Sequence, residues 1–491
     1  MRWLTAFILA SPLAAQAAGM SADDARHLLN RTGFGSQPNE IVTYTQFSRE
    51  QAIERLLRNA GTAARARAPD WVNDPIISAR TLREATPERR KEYQAEEVRR
   101  GFDLRTWWVQ EMLDTSSPLT ERMTLFWHNH FVSSQEKVRH MQLMYRQNLL
   151  LRRYALGNFG ALLHVVAKDP AMVIYLDSAT NRKGKPNENF AREVMELFTL
   201  GEGHYTEADV REAARAFTGW SIDPDTGEYK WRPYNHDGGT KTVLGKTGNF
   251  DGDAVLDILL DHQQTAEFIV AKLWREFVSL DPDPAEVRRI GRKFYASNYE
   301  IKVALRELLQ SPAFWANENR GALVKSPVDL VVGTMRSLDF SVGDTLPLAL
   351  SIAQLGQNLF APPNVKGWPG GEAWINSSTL LARMAFAERI FRADEMPKMA
   401  MAQMGRGGDA DMMRVRGFGR TGEAGRERAM RALYEIQFDP SRWLAQFPGA
   451  VSVGDMEGAL LAREPVTAIP TDLPTREIVK RIALDASYQL K

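Results

Sequence analysis

The stretch NENFAREVMELFTLGEGHYTEADVREAARAFTGW, from Asn187 to Trp220, predicts two helices separated by a short break. At about 100° per residue, the apolar side chains fall on one face of the first helix: Phe190, Val194, Leu197 and Phe198. Polar side chains occupy the opposite face: Glu188, Arg192 and Glu196 at every fourth position, with Asn189 and Glu193 beside them. This pattern is typical of a helix that buries one side in a helical core.

The break between the two helices carries recognisable end signals. Gly201 follows Leu200 and tolerates the left-handed conformation that ends many helices. Thr206 suits an N-cap, and Asp209 stands three residues later, where a capping box places its acceptor. The sequence therefore predicts that the second helix begins just after Thr206.

The acidic face of the first helix has two interpretations. In the first interpretation, the acidic face is an ordinary solvated face, because most charge runs on helices only contact water. In the second, Glu188 and Glu196 turn inward as acid and base, with Arg192 and His204 as further catalytic residues. The second interpretation predicts that these side chains meet the histidines of other segments around one cleft.

Two other segments offer metal-ligating side chains: His128 with His130, and His236 with Asp237. Imidazole and carboxylate groups suit Zn, Mn, Fe or Ca, so these are the candidate ligands of a divalent metal. Within a helix, His128 and His130 would lie about 200° apart and could not share a metal, whereas in an extended segment they could. The alternative is a capping histidine, a hydrogen-bonded core histidine and an Asx-type turn at Asp237.

Five segments of the chain resemble the bacterial domain of unknown function 1800 family. They are the Asn187–Trp220 stretch, HLLNRTGFG (His27–Gly35), FWHNHF (Phe126–Phe131), HDGGTKTVLGKTG (His236–Gly248) and PPNVKGWPGGEAWIN (Pro362–Asn376). The resemblance runs from about His27 to the C-terminal helix. It implies an exported and largely helical protein, but it brings no settled activity and assigns no catalytic residue.

Residues 1–17 are predicted to be a signal peptide. Arg2 gives the positive start, Trp3 to Ala14 the apolar run, and Ala15-Gln16-Ala17 the cleavage site. The mature chain would begin near Ala18 and be periplasmic or secreted. It has no cysteine, which excludes disulfides, and no later run of about 18 apolar residues, so no transmembrane segment is expected.

Cap and periodicity signals predict a mainly α fold with a large multi-helix single core. The predicted organisation is a helical domain over 18–395, a flexible Met/Gly/Arg-rich insertion over 396–425 and a C-terminal helical segment over 426–491 that packs on the main domain. A small irregular or β-hairpin insertion is expected at about 221–253, where Gly, Asp, Asn, Lys and Thr dominate. Residues 60–85 are predicted to be a long loop, and 136–156 one helix.

The segment from Pro362 to Gly371 surrounds tryptophan with proline and glycine. Trp368 and Trp374 could form an exposed platform on which sugar rings stack. Alternatively, the loop inserts both rings into the helical core, since side chains of this size bury well.

Two functional hypotheses follow. In the first, the protein is an exported hydrolase, dependent on a metal or on carboxylate and histidine groups, that acts on polysaccharide or another envelope polymer. In the second, it is a non-catalytic secreted scaffold that binds another exported protein. A formal net charge of +1 gives no reason to expect nucleic acid as a partner.

Overall fold

The computed structural model describes residues 19–393 and 422–491. Helices make up 61% of the structure, and the strands are confined to two small antiparallel hairpins. The predicted mainly α class with a small β insertion is therefore confirmed.

The α-helices before the β insertion are Ala22–Thr32, Pro38–Tyr44, Arg49–Arg58, Ala79–Glu84, Pro87–Asp114, Pro118–His130, Gln135–Val138, Met141–Tyr154, Phe159–Ala167, Pro170–Tyr175, Asn189–Glu193 and Glu207–Ala216. Those after it are Gly252–Leu260, Gln263–Phe277, Pro284–Ala296, Ile301–Leu309, Pro312–Trp315, Pro327–Ser337, Leu346–Gln354, Ser377–Ala393, Gly422–Tyr434, Pro440–Leu444, Val453–Leu460 and Thr475–Leu484. Short 3₁₀ turns cover Asp70–Asn73, Ser178–Thr180, Pro233–Asn235, Asn317–Asn319, Gly371–Trp374 and Ala486–Gln489, and Val194–Thr199 is a π-helix.

Capping residues fix where the helices begin. Thr206 and Asp209 form the predicted capping box of Glu207–Ala216, and Ser48 with Gln51 forms another. Gly201 has a φ of +83°, which is the left-handed conformation expected after Leu200.

Two helix boundaries differ from the prediction. Residues 60–85 include the helix Ala79–Glu84, which Ser78 caps by accepting a hydrogen bond from the Thr81 N–H. The predicted helix 136–156 is divided at Arg139, whose φ of +57° breaks the helical hydrogen-bond ladder. Both boundaries depend on local backbone conformation, which the spacing of apolar residues does not reveal.

The β insertion consists of two hairpins. Trp220–Ile222 pairs with Tyr229–Trp231, and Lys241–Val243 pairs with Lys246–Gly248. The second hairpin packs on the helix Glu207–Ala216, where the carboxylate of Asp209 accepts a hydrogen bond of 2.7 Å from the Leu244 N–H. The insertion is thus attached to the helix that follows Thr206.

The buried apolar side chains form two adjoining clusters. The first includes Trp127, Phe159 and Trp274, and the second includes Trp108 and Trp443. Tyr175 and Phe447 pack against both. The two clusters therefore adjoin at these two side chains.

The C-terminal residues contact the helix Pro327–Ser337. The Tyr488 and Thr334 hydroxyls lie 2.9 Å apart, and the Lys491 Nζ lies 2.7 Å from the Asp329 Oδ2. The predicted signal peptide and residues 396–421 of the predicted insertion lie outside the described residues, and residues 422–425 begin the helix Gly422–Tyr434. Within 19–393 and 422–491, none of the helices has the length and apolar character needed to cross a membrane.

Candidate active site

The helix that carries the acidic face changes type halfway along. Asn189–Glu193 is α-helical, whereas Val194–Thr199 is a π-helix. The Leu200 N–H accordingly donates to the Met195 carbonyl, five residues back, at 2.8 Å. Single π-helical turns are rare and are found often at functional sites, and the last carbonyls of such a turn need partners outside the helix.

Two of these carbonyls receive hydrogen bonds from neighbouring helices. The Lys272 Nζ donates to the Leu197 carbonyl at 3.0 Å, and the His130 Nε2 donates to the Phe198 carbonyl at 3.2 Å. Lys272 lies on Gln263–Phe277, and His130 is the last residue of Pro118–His130. The π-helix therefore brings together side chains from two helices that are far apart in the sequence.

Lys272 and His130 also contact each other, with 3.0 Å between the Lys272 Nζ and the His130 Nδ1. Because the His130 Nε2 donates its hydrogen to Phe198, the neutral ring keeps a lone pair on Nδ1, which accepts an N–H of Lys272. Burial, together with the charge of Lys272, holds the pKa of His130 well below its usual value. His130 is thus a neutral imidazole that orients the lysine amine.

Lys272 lies in surroundings that disfavour its charge. Burial and, to a smaller extent, the positive charge of Arg275 together lower the pKa of Lys272 to about 7. In the described part of the chain no carboxylate lies within ion-pair distance of the amine, and the aromatic contact is with the ring of Phe268. At neutral pH a substantial fraction of Lys272 is therefore the free amine, a base and a nucleophile.

The amine faces a cavity of about 300 Å³ where the two apolar clusters meet. Phe126 belongs to the first cluster, and Leu125, Trp368 and Trp374 belong to the second. The charged side chains of the cavity wall are Arg122, Lys272, Arg275, Glu276, Asp329, Lys366 and Lys491. Cationic groups thus outnumber carboxylates there.

The two carboxylates of the cavity are already paired. Arg122 contacts Asp329, and its Nη1 lies 3.2 Å from the Glu276 Oε1. Burial by itself raises the pKa of Asp329, but the charges of Arg122 and Lys491 outweigh burial and hold this pKa below its usual range. Asp329 is therefore a charged structural group, which leaves Lys272, Arg275 and Lys366 facing the cavity without a carboxylate of the cavity wall.

The Pro362–Asn376 segment is fixed to the cavity by Asn129. The Trp368 N–H donates to the Asn129 Oδ1 at 2.7 Å. Gly367 has a φ of +81°, and a Cβ there would lie 2.2 Å from the same oxygen. Trp368 and Trp374 are 4% and 7% exposed, so both rings are in the core, as the second interpretation of this loop predicted, while each also lines the cavity.

The predicted catalytic residues of the Asn187–Trp220 stretch do not all meet. Arg192 pairs with Glu188 at 3.2 Å and with Glu207 at 2.7 Å on the surface, and His204 is exposed. Glu196 is different, because it accepts a hydrogen bond of 3.0 Å from Tyr205 and lies 3.8 Å from the Lys366 Nζ. Glu196 therefore approaches the cavity edge, whereas Glu188, Arg192 and His204 belong to the surface.

The predicted metal ligands have separate partners. His128 and His130 both lie in a helix, the geometry in which they cannot share a metal. His128 packs among Trp108, Phe360 and Trp368, and burial lowers the pKa of its imidazole to about 3.

The other two candidate ligands lie at the β insertion. The His236 Nδ1 lies 2.9 Å from the Thr218 carbonyl, and Asp237 binds Arg215 at 2.8 Å and accepts from the Gly239 N–H in an Asx-type turn. Across the residues that the structure describes, no three His, Asp or Glu side chains are grouped so that they could hold a metal ion. Metal binding stays a prediction from the sequence.

Sequence reasoning found His130 and the tryptophan loop but missed Lys272, Arg275 and Arg122. A lysine between Ala271 and Leu273 in an amphipathic helix normally reaches water, so its position carries no signal. Only the arrangement of three helices shows that this amine faces a cavity.

A second, larger groove of about 790 Å³ lies beside the helix Pro87–Asp114. Its charged groups pair with one another: Arg100 with Asp74 at 2.6 Å, and Arg428 with Asp344 at 2.6 Å. It offers no side chain comparable to Lys272, so the smaller cavity is the stronger candidate.

Comparison with protein families gives one match, over residues 27–464, to the family described as protein of unknown function (DUF1800). No curated protein and no solved structure matches the chain.

Proposed function

The chain belongs to the DUF1800 family, and we propose that this member is an enzyme that acts on an envelope polymer with Lys272 as its catalytic base. The observation that carries the proposal is the Lys272 amine, held 3.0 Å from a neutral His130 at the wall of a cavity. A lysine without a carboxylate partner in a partly dry site is the form that catalytic lysines take.

The distribution of charge supports base chemistry over the acid–base carboxylate pair expected from the sequence. Glycoside hydrolysis by two carboxylates needs one of them protonated. In the cavity, Asp329 and Glu276 both pair with Arg122, and Glu188 lies on the surface with Arg192. Glu196 contacts Lys366 and Tyr205, and its contribution would be to position Lys366 at the cavity edge.

A structural role for Lys272 is the main alternative, because its Nζ also caps the Leu197 carbonyl. Lys272→Arg separates the two roles, since arginine keeps the hydrogen-bond donors but stays protonated in proteins and so cannot act as a base. Lys325→Arg is the matched control. Burial lowers the pKa of Lys325 to about 7 as well, but Lys325 lies against the Tyr488 ring.

The first measurement is competitive acetylation of the protein over a pH series, read lysine by lysine by mass spectrometry. We expect Lys272 to titrate near pH 7, far below the value of about 10.4 of a free lysine. The second measurement is the release of soluble fragments from purified peptidoglycan and capsular polysaccharide. Lys272→Arg should lose this release, whereas Lys325→Arg should keep it.

Release of the same fragments by Lys272→Arg, or an ordinary lysine titration, would contradict the proposal. Retention of a polymer without any release of fragments would instead support the non-catalytic binding function.

A further inference from the structure

We propose that the substrate is an acidic polysaccharide whose sugar carboxylate binds Arg275 and Lys366, and that Lys272 cleaves it by β-elimination. This inference rests on the proposed function, because it assigns a substrate class and a reaction to the same cavity.

The anionic substrate follows from two cations, Arg275 and Lys366, that face the cavity without a carboxylate of the cavity wall. Arg275 stands three residues after Lys272 on the same helix and is exposed at the cavity, and no carboxylate pairs with it among the residues described. Lys366 is 66% exposed and reaches Glu196 and Glu202 only loosely, at 3.8 and 3.6 Å. A guanidinium and an ammonium at one opening suit a carboxylate of the ligand.

The sugar ring follows from the walls and the size of the cavity. Trp368 and Trp374 form an apolar wall, and Leu280 closes against Gly371, where a Cβ would lie 2.9 Å from the leucine side chain. The apolar ring atoms that these tryptophans contribute to the wall suit the C–H groups of a pyranose ring. A cavity of about 300 Å³ is at the small end of ligand sites, so it holds one ring with its carboxylate.

The reaction follows from the groups of the cavity wall. They include a base and cations, whereas both carboxylates of the wall are paired with Arg122. In a uronic acid residue, the proton on C5 is adjacent to the carboxylate. Cations that bind this carboxylate stabilise the charge that develops when the proton leaves, as in other enzymes that abstract a proton next to a carboxylate. Lys272, oriented by His130, is the group in the cavity wall that is suited to accept it.

The step balances without any other reactant. The C5–H bond breaks as the free amine of Lys272 takes the proton, and its electron pair forms the C4–C5 double bond. The bond between C4 and the glycosidic oxygen breaks with its electrons on oxygen. The Lys272 ammonium then returns the proton to this oxygen, so the two products together have the composition of the substrate.

The test uses the full chain with oligogalacturonate, oligomannuronate and hyaluronan oligosaccharides. We expect at least one to give a product with a C4–C5 double bond, seen as new ultraviolet absorbance and as a product pair that has gained no water by mass. Cello-oligosaccharides and glycerol-phosphate oligomers are the neutral and phosphate probes, and neither should react.

Binding is measured separately by calorimetry on Lys272→Arg, which should bind the reactive oligosaccharide without converting it. In this background, Arg275→Gln and Lys366→Gln should each weaken binding by about tenfold, the effect of losing one charged contact. Arg292→Gln removes an exposed arginine of the helix Pro284–Ala296 and is the matched control.

Three results would overturn the inference: no binding of any uronate oligosaccharide, products that have gained water, or preference for the neutral or phosphate probe. If Lys272→Arg still loses turnover of another polymer, the proposed function stands and only the substrate class fails. If no substrate depends on Lys272, both fail.

Discussion

The Lys272 amine costs stability whenever it carries its charge in the folded protein. The folded chain releases this proton near pH 7, whereas an unfolded lysine holds it to about pH 10.4. Between these values the unfolded chain binds more protons, so raising the pH stabilises the folded state.

We therefore expect the free energy of unfolding of the wild type, minus that of Lys272→Met, to rise between about pH 7 and pH 10 and to be constant below about pH 6. Urea unfolding at a series of pH values measures the difference. Lys91→Met, at an exposed position of Pro87–Asp114, is the matched control. A difference that stays flat from pH 6 to pH 10 would mean that the amine is not held in its neutral form.

At the scale of the elements, the Pro362–Asn376 loop depends on one backbone position, Gly367. Gly367 has a positive φ, and its Cα faces the side chain and the carbonyl of Asn129. A methyl group there would meet both oxygens and would also carry the cost of a left-handed conformation, about 1–2 kcal/mol for a residue with a Cβ.

Gly367→Ala should therefore lower stability by more than this conformational cost and move Lys366 and Trp368 away from the cavity. Thermal unfolding and the quenching of tryptophan fluorescence by iodide would report the two effects. Gly238→Ala is the matched control, because its Cβ would enter open space. Equal melting temperatures for the two variants would show that the contact with Asn129 does not hold the loop.

At the scale of the whole molecule, Asp329 joins three distant parts of the chain. Its carboxylate binds Arg122 of Pro118–His130 and Lys491 near the C-terminal turn, and its own helix is Pro327–Ser337. Because the charges of Arg122 and Lys491 depress its folded pKa against the effect of burial, the stability it contributes is present above about pH 4 and is lost as the pH falls below that value.

Asp329→Asn should destabilise the protein by about 3–5 kcal/mol at pH 7, the usual cost of breaking a buried ion pair, and by less in acid. Asp261→Asn removes a partner of the exposed pair with Lys246 and should cost less than about 1 kcal/mol. Chemical unfolding at pH 7 and pH 3.5 measures both variants. Comparable losses for the two would contradict a central role for the buried pair.

Local signals determined much of the fold. Thr206 with Asp209, Ser48 with Gln51, and Gly201 end or begin helices through contacts within a few residues, and such contacts can be read from the chain alone. Composition and turn residues likewise indicate the hairpins near 221–253. The sequence does not indicate the π-helix at Val194–Thr199, since its apolar residues have the spacing of an α-helix.

The sequence by itself determined the helical class, the helix ends at Gly201 and Thr206, and the position of the β insertion. It also singled out the segments that carry His130 and Trp368. Only the tertiary structure decided which charged groups work together. Lys272, Arg122 and Lys366 are separated by about a hundred residues or more along the chain, yet they line one cavity. Helix periodicity reports which side of a helix is apolar, whereas the packing of helices against each other decides whether a lysine reaches water or a cavity.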